Sequence, residues 1–207
     1  MTTEAPIAPL LPTGKPHVSF SEYKDWAECS FRHRLKYVDK VGVFKPGIAL
    51  TFGTAVHESC EHYLKTREMK PELAHAVIDS DWEKYTTGDY AAMDLGYTEE
   101  AKATAHAQID AILAEIPAFL DREFPDWIYV MAEGNIYEPI VGHDDVKFKG
   151  FIDGIIQCKG KRGEDLKWII DWKTSNRGWF RDKREDFTTK MQLILYKNYW
   201  SKREEEK

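Results

Sequence analysis

Asp171 and Lys173 place a carboxylate and an amine two positions apart in the segment Trp168–Lys173, which otherwise has the apolar composition of a buried strand. Side chains alternate across a strand, so both groups would project from one face of the sheet. A carboxylate can bind a hard divalent cation, and an ammonium group can contact phosphate. The pair therefore suits phosphodiester hydrolysis better than a protein core. The alternative is a plain salt bridge or a solvent-facing pair on a strand.

A second carboxylate, Asp153, lies in an earlier run of β-favouring residues. Gly160–Gly163 predicts a turn between that run and Leu166–Lys173. A hairpin symmetric about residue 162 puts Asp153 opposite Asp171, with Cβ atoms about 4.5 to 5.5 Å apart. Two carboxylates at that separation repel each other unless a cation lies between them, and a divalent ion is the usual solution. Asp153 could instead simply end a strand, because Gly154 follows it.

The periodicity of the apolar residues predicts the elements that must position these groups. Ser19 and Glu22 have capping-box spacing ahead of a helical pattern that continues to Val38. Further helices are predicted from near Thr54 past Leu64, after Pro71, after Thr98, and from Phe187 to Lys202 with Asp186 as its cap. The predicted strands are Trp127–Glu133, Ile136–Val141, Val146–Cys158 and Leu166–Lys173.

With 207 residues and 43% hydrophobic content, the chain can bury a core of its own. The first 16 residues hold Pro6, Pro9, Pro12 and Pro16, so we expect a flexible tail over 1–16 and a single domain over 17–207. No stretch is apolar enough for a membrane span, and the N-terminus lacks the pattern of a secretory signal, which favours a cytoplasmic protein without a membrane partner. We expect no internal repeat.

The formal net charge of −6 argues against broad coating of nucleic acid, whose affinity grows with the number of phosphates neutralised. An enzyme can still concentrate positive charge at one cleft. Two local basic clusters are candidates for such contacts: Arg32, His33, Arg34 and Lys36, and Arg177, Arg181, Lys183 and Arg184. Runs of charge are more often simply solvated.

Five motifs follow one another along the chain: Gly53-Thr-Ala-Val-His57, Glu133, Gly150-Phe-Ile-Asp153-Gly154, Asp171-Trp-Lys173-Thr174 and Gln192-Leu-Ile-Leu-Tyr196. Over residues 19 to 200, this order resembles the RecB-like branch of the PD-(D/E)XK nuclease superfamily, which includes CRISPR-associated and AddB-type exonucleases. Ser21 to Tyr37 resembles the opening helix of that branch. The resemblance implies an α/β fold of restriction-endonuclease type, with a small mixed β-sheet flanked by helices and an N-terminal helical extension.

The resemblance also implies roles for individual residues. His57, Asp153, Asp171 and the backbone carbonyl of Trp172 would bind metal, with Glu133 as a further candidate. Lys173 would orient the attacking water or steady charge developing on the phosphate. The helix of Gln192 and Tyr196 would border the catalytic centre.

Each of these roles has a simpler alternative. His57 could be a structural histidine, and Glu133 could end a strand on a solvated face. Glu61, one helical turn from His57, could reach the same site. Gln192 and Tyr196 could be the polar edge of a packed amphipathic helix.

One imidazole beside two carboxylates accepts manganese as well as magnesium, so we expect Mg²⁺ or Mn²⁺ as cofactor. Some RecB-like nucleases hold an iron–sulfur cluster with one early cysteine and three late ones. Cys29 matches the early position, but no cysteine follows Cys158, so we expect no iron–sulfur cluster. Cys29 would then be a packing residue.

The predicted function is metal-dependent DNA hydrolysis, in which an activated water attacks phosphorus in line while Lys173 assists. The leading version is an exonuclease acting in recombination, repair or phage DNA processing on single- or double-stranded DNA, with a helicase or recombination protein as partner. A noncatalytic DNA-binding or assembly subunit that retains the fold is the alternative. An RNA-directed nuclease also stays open, because no residue recognisably reads a 2′-hydroxyl.

Overall fold

The computed structural model describes residues 13–41, 46–90, 93, 95–175 and 186–205. Within these ranges the helices are α1 Phe20–Glu28, α2 Ser30–His33, α3 Ile48–Thr66, α4 Pro71–Thr86, α5 Glu99–Glu123 and α6 Phe187–Glu205. The strands are β1 His17–Ser19, β2 Ile128–Ile140, β3 His143–Lys159 and β4 Asp165–Ile170. This set of helices and strands confirms the predicted α/β class with a small sheet flanked by helices.

Strand β3 is the centre of a four-stranded mixed sheet, with β1 and β2 as neighbours in the order β1-β3-β2. β1 pairs with β3 in parallel, and β4 pairs with it antiparallel. The β3–β4 register runs from Gly154 opposite Ile170 to Lys159 opposite Asp165. The residue numbers of each pair average to 162, so the predicted register is confirmed for these pairs. β4 ends at Ile170, so the prediction of a strand that continues through Asp171 to Lys173 was wrong.

The two strands predicted for residues 127–141 are one continuous strand, β2. Glu133, the last residue of the first predicted strand and next to the gap between the two, has a backbone φ of +48°. A single left-handed residue bends a strand locally without ending it, as in a β-bulge. The gap between the two apolar runs therefore marks a distortion within β2 rather than a turn.

The single N-terminal helix predicted up to Val38 is interrupted at Cys29, where φ is −161° and ψ is 103°. Its start is as predicted, because the Ser19 hydroxyl accepts a hydrogen bond from the Glu22 amide at 3.2 Å. After Cys29 the chain forms α2 and then a π-helix, Arg34–Val38. The Cys29 side chain is exposed and its sulfur accepts from the Arg32 amide, so the expectation that Cys29 is a packing residue was wrong.

The remaining predicted helices are present, with different lengths. α3 begins at Ile48 rather than near Thr54. The hydroxyl of Thr98 caps α5 by accepting from the Ala101 amide at 3.1 Å. The carboxylate of Asp186 caps α6 by accepting from the Thr189 amide at 2.8 Å. None of the helices in the described ranges is both long and apolar enough to cross a membrane.

The chain divides into two compact units. The first comprises the described residues of Met1–Val43, Asn135–Ile152 and Trp179–Lys207, and the second those of Phe44–Gly134 and Asp153–Gly178. In the first unit, Gly150 lets β3 approach α6, because a Cβ at that position would lie 2.7 Å from the ring of Tyr196. The predicted basic loop of Arg177, Arg181, Lys183 and Arg184 and most of the predicted tail lie outside the described residues.

In the second unit, α3, α4 and α5 bury one apolar cluster that includes Cys60, Ile78 and Ile109. A second cluster joins Leu64 of α3 to Trp127 and to Ile156 of β3. A Cβ at Gly154 would lie only 2.4 Å from Cδ1 of Leu64. The absence of that side chain allows α3 to pack closely against β3, beside Asp153.

Candidate functional site

Three side chains from three elements converge in the second unit: His57 of α3, Glu133 of β2 and Asp153 of β3. One ligand atom from each lies within 4.8 Å of the other two. Among the described residues, this is the one set of three or more histidine, cysteine or acidic side chains with such convergence. One nitrogen and two carboxylate donors are a suitable ligand set for a divalent cation.

The imidazole of His57 is oriented by a backbone group. Its Nε2 lies 2.9 Å from the carbonyl oxygen of Trp172, which can only accept, so Nε2 carries the hydrogen. Nδ1 is then the basic nitrogen of the neutral ring, and it lies 3.7 Å from Oδ2 of Asp153. A second hydrogen bond that fixes the tautomer in this way is typical of metal-binding histidines.

The Asp153 side chain is 12% exposed, and its Oδ2 accepts a hydrogen bond from the backbone amide of Trp172 at 2.7 Å. Burial raises the pKa of Asp153 above its ordinary value, and the negative charge of Asp171 acts in the same direction. His57, the Trp172 amide and Lys173 oppose that rise in pKa without overcoming it. An ionised carboxylate at this position is costly unless a cation compensates it.

Glu133 is the most exposed of the three residues and is held at the left-handed backbone position of β2. Desolvation raises its pKa, and the negative charges of Glu61 and Asp153 raise it further. Uncommon backbone conformations of this kind concentrate at functional sites. Glu133 is therefore a stronger candidate ligand than its sequence context suggested, whereas Glu61 makes an ion pair with Lys65.

Asp171 and Lys173 lie just beyond the end of β4 and contact each other. The ammonium nitrogen of Lys173 is 2.7 Å from both carboxylate oxygens of Asp171, as in the salt-bridge alternative. The Asp171 side chain is only 6% exposed, whereas that of Lys173 is 38% exposed. Asp171 is not among the three converging ligand residues, although its charge acts on Asp153. Its role as a metal ligand stays a prediction.

Trp172 contributes through its backbone in a way that the sequence analysis missed. The amide binds Asp153 while the carbonyl accepts from His57, so one peptide segment fixes two site residues. The resemblance implies that this carbonyl binds metal, and that role stays a prediction. The predicted hairpin register indicates the amide contact. It places Asp153 opposite Asp171, and Trp172 is the next residue along the chain.

Gln192 and Tyr196 belong to the first unit, on α6. The amide nitrogen of Gln192 donates to the phenol oxygen of Tyr196 at 3.0 Å, and Tyr196 is buried. They share a helical face, as their spacing predicts. Their role beside a catalytic centre stays a prediction.

The mixed sheet flanked by helices is consistent with a restriction-endonuclease-like core. The chain belongs to the PD-(D/E)XK nuclease superfamily, whose family model matches residues 17–207. No curated protein matches the chain. Membership agrees with the mixed sheet and with a site for a divalent cation formed by His57, Glu133 and Asp153. It implies a nucleic-acid substrate.

Proposed function

We propose that this protein is a metal-dependent deoxyribonuclease of the RecB-like branch, acting as an exonuclease in recombination, repair or phage DNA processing. The observation that carries the proposal is the convergence of His57, Glu133 and Asp153 within 4.8 Å, in a chain of the PD-(D/E)XK superfamily. Magnesium or manganese is the proposed cofactor, because hard carboxylate donors are combined with one imidazole.

Each residue has a defined part in the proposed reaction. Nδ1 of His57 and the carboxylates of Glu133 and Asp153 would hold the cation, and Trp172 keeps His57 and Asp153 in place through its backbone. When bound, the cation lowers the pKa of a water and neutralises charge on the phosphate. The Lys173 ammonium group, beside Asp171, is available to steady charge that develops on the phosphate oxygens.

The direct test is incubation of end-labelled and internally labelled DNA, single- and double-stranded, with Mn²⁺, with Mg²⁺ or with EDTA. We expect mononucleotides or short products from one labelled end, formed only with a divalent cation. Asp153→Asn should remove this activity, because the variant lacks one charged ligand of the site. Asp165→Asn is the matched control, since Asp165 lies on the same hairpin and pairs with Lys159.

Other outcomes select among the alternatives. Binding of DNA without any metal-dependent product would contradict the enzyme assignment and favour a noncatalytic DNA-binding or assembly subunit. Internal cleavage of circular DNA would contradict the exonuclease assignment. Faster cleavage of an RNA of the same sequence would make RNA the substrate. Activity that survives in Asp153→Asn would show a contaminating nuclease or a site elsewhere.

A further inference from the structure

Helices α4 and α5 carry nearly identical six-residue segments. Residues 74–79 read Ala-His-Ala-Val-Ile-Asp, and residues 105–110 read Ala-His-Ala-Gln-Ile-Asp. They differ only at Val77 and Gln108. The expectation of no internal repeat was therefore wrong for this six-residue segment. The structure brings the two copies into contact.

The two segments face each other across the α4–α5 contact. Equivalent residues of both, Ala74 with Ala105 and Ile78 with Ile109, are buried in the same apolar cluster. This shared burial brings the polar residues of the two segments together as well. His75 meets Asp110, and His106 meets Asp79, so the contacts run in opposite directions along the two helices. The result is a reciprocal set of two imidazoles and two carboxylates.

The polar atoms at this crossing form two close pairs and are incompletely satisfied. The rings of His75 and His106 are stacked, with centroids 4.4 Å apart and planes 27° apart. Nε2 of His75 lies 2.8 Å from Oδ1 of Asp110, and Nε2 of His106 lies 3.3 Å from Oδ1 of Asp79. Both Nε2 atoms are shielded from solvent, and neither has a partner in acceptable hydrogen-bond geometry. Buried polar atoms normally have such partners, so this pair requires an explanation.

We propose that the α4–α5 crossing binds a zinc-class divalent cation through His75, Asp79, His106 and Asp110. Within each helix the histidine and the aspartate are four residues apart and share a face. Two imidazoles and two carboxylates form a complete four-ligand set for zinc, whereas magnesium prefers oxygen ligands and retained water. The function would be structural: the cation links two helices that also bury Val56 and Cys60 of α3, the helix that carries His57.

The ligand atoms form two close pairs, so binding requires rotation of the side chains toward a common centre. The terminal torsions of histidine and aspartate are broad, which makes this rotation inexpensive. Lys102 donates to Asp79 at 2.8 Å. A carboxylate has two oxygens, so the lysine contact and coordination are compatible.

The test uses the full chain carrying His57→Ala and Asp153→Asn, so that metal uptake no longer reports on the site at His57. Titration calorimetry measures Zn²⁺ binding, and visible absorption measures Co²⁺ binding. Thermal unfolding is then compared in Zn²⁺ and in EDTA. We expect one equivalent of tightly bound zinc. The melting midpoint should rise by roughly 5 to 10 °C when free zinc exceeds the dissociation constant about 100-fold.

The decisive variant adds His75→Phe with His106→Phe, which keeps two stacked rings but removes both nitrogen ligands. Zinc affinity should fall by about 100-fold or more, and the zinc-dependent midpoint shift should disappear. The midpoint in EDTA should show that the variant is folded. His143→Ala, at an exposed histidine, is the control and should bind zinc unchanged. No zinc uptake by the background protein, or equal uptake by the double-phenylalanine variant, would overturn the proposal. Neither result depends on nuclease activity.

Discussion

At the scale of single residues, the candidate site concentrates negative charge where water is partly excluded. Burial raises the pKa of Asp153, and desolvation with nearby carboxylates raises that of Glu133. A carboxyl group whose pKa is raised by folding stabilises the protein fully only below its unfolded pKa, about 3.9 for aspartate. That contribution is lost as the pH rises through the higher folded pKa. At neutral pH, without metal, the ionised site therefore lowers the stability of the fold.

Asp153→Asn should consequently increase the free energy of unfolding at pH 7 in EDTA, by about 0.5 to 2 kcal/mol, while it removes cleavage. The asparagine oxygen can still accept from the Trp172 amide, so the backbone contact is kept. Urea unfolding measures the change, and the gain should shrink as the pH falls through the raised pKa of Asp153, where the wild-type carboxylate takes up a proton. Saturating Mn²⁺ should also reduce the difference, because it stabilises only the wild type.

The Asp165→Asn variant again serves as the control for that measurement. The ion pair with Lys159 lowers the pKa of Asp165, so neutralising it should not stabilise the protein. Equal or lower stability of Asp153→Asn in EDTA would contradict the proposed electrostatic cost of the site.

The hairpin also offers two comparable lysine–aspartate pairs for a test of Lys173. Lys173 lies 2.7 Å from Asp171 beyond one end, and Lys159 lies 2.7 Å from Asp165 near the other. Lys173→Ala should lower the rate of DNA cleavage by about 100-fold or more, because charge on the phosphate oxygens loses its ammonium partner. Lys159→Ala should leave the rate unchanged and change stability little, because exposed ion pairs contribute little.

Single-turnover cleavage measures this difference, with circular dichroism to verify that both variants are folded. A Lys173→Ala enzyme that cleaves at the wild-type rate would leave the Asp171–Lys173 contact as a purely structural ion pair.

At the scale of elements, the site depends on how closely α3 approaches β3. Gly154→Ala introduces a Cβ that would lie 2.4 Å from Cδ1 of Leu64, which is fully buried. We expect a loss of about 1 to 3 kcal/mol in the free energy of unfolding, because the helix must shift or Leu64 must leave its rotamer. A shift of α3 moves His57 relative to Asp153, so Mn²⁺ affinity should fall as well.

Denaturant unfolding and Mn²⁺ titration of the same variant measure both effects. Gly47→Ala is the control, since no atom lies within 4 Å of a Cβ at that position. Combining Gly154→Ala with Leu64→Ala should be less harmful than the sum of the single changes, because the second substitution removes the clashing atom. Additive losses would exclude steric conflict with Leu64 as the cause.

The elements also show what the sequence could and could not predict. The β3–β4 register followed from the symmetry of the turn, because strand pairing next to a short turn is a local property. The sequence did not predict the break at Cys29 or the left-handed backbone at Glu133. Hydrophobic periodicity indicates which face of a helix or strand is buried, but it does not indicate backbone dihedral angles. The double contact of Trp172 was missed for a related reason: it is made by backbone groups, whose hydrogen bonds do not depend on the side chain, and only the hairpin register indicates that Trp172 lies near Asp153. The motifs thus predicted His57, Asp153 and the candidate Glu133. They indicated Trp172 only as a metal ligand and not as the residue whose backbone contacts both His57 and Asp153.

At the scale of the whole molecule, a net charge of −6 must be reconciled with a polyanionic substrate. In the proposed reaction the scissile phosphate approaches three carboxylates, which add local negative charge: those of Glu133, Asp153 and Asp171. A divalent cation reverses that local field, so substrate binding itself should depend on metal, and not only the chemical step. Metal-dependent DNA binding would distinguish a site that needs its cation to bind DNA from a surface that binds DNA through basic side chains alone.

We therefore expect the Lys173→Ala protein to bind labelled DNA at least about tenfold more tightly in Mn²⁺ than in EDTA, a difference of about 1.4 kcal/mol. Fluorescence anisotropy measures it, and Asp153→Asn combined with Lys173→Ala supplies the control that cannot assemble the site. The difference in DNA affinity between Mn²⁺ and EDTA should be largest at low ionic strength, because salt screens the repulsion that metal-free carboxylates exert on phosphate. Equal affinity with and without the cation would instead place the main DNA contacts on basic residues away from His57, Glu133 and Asp153.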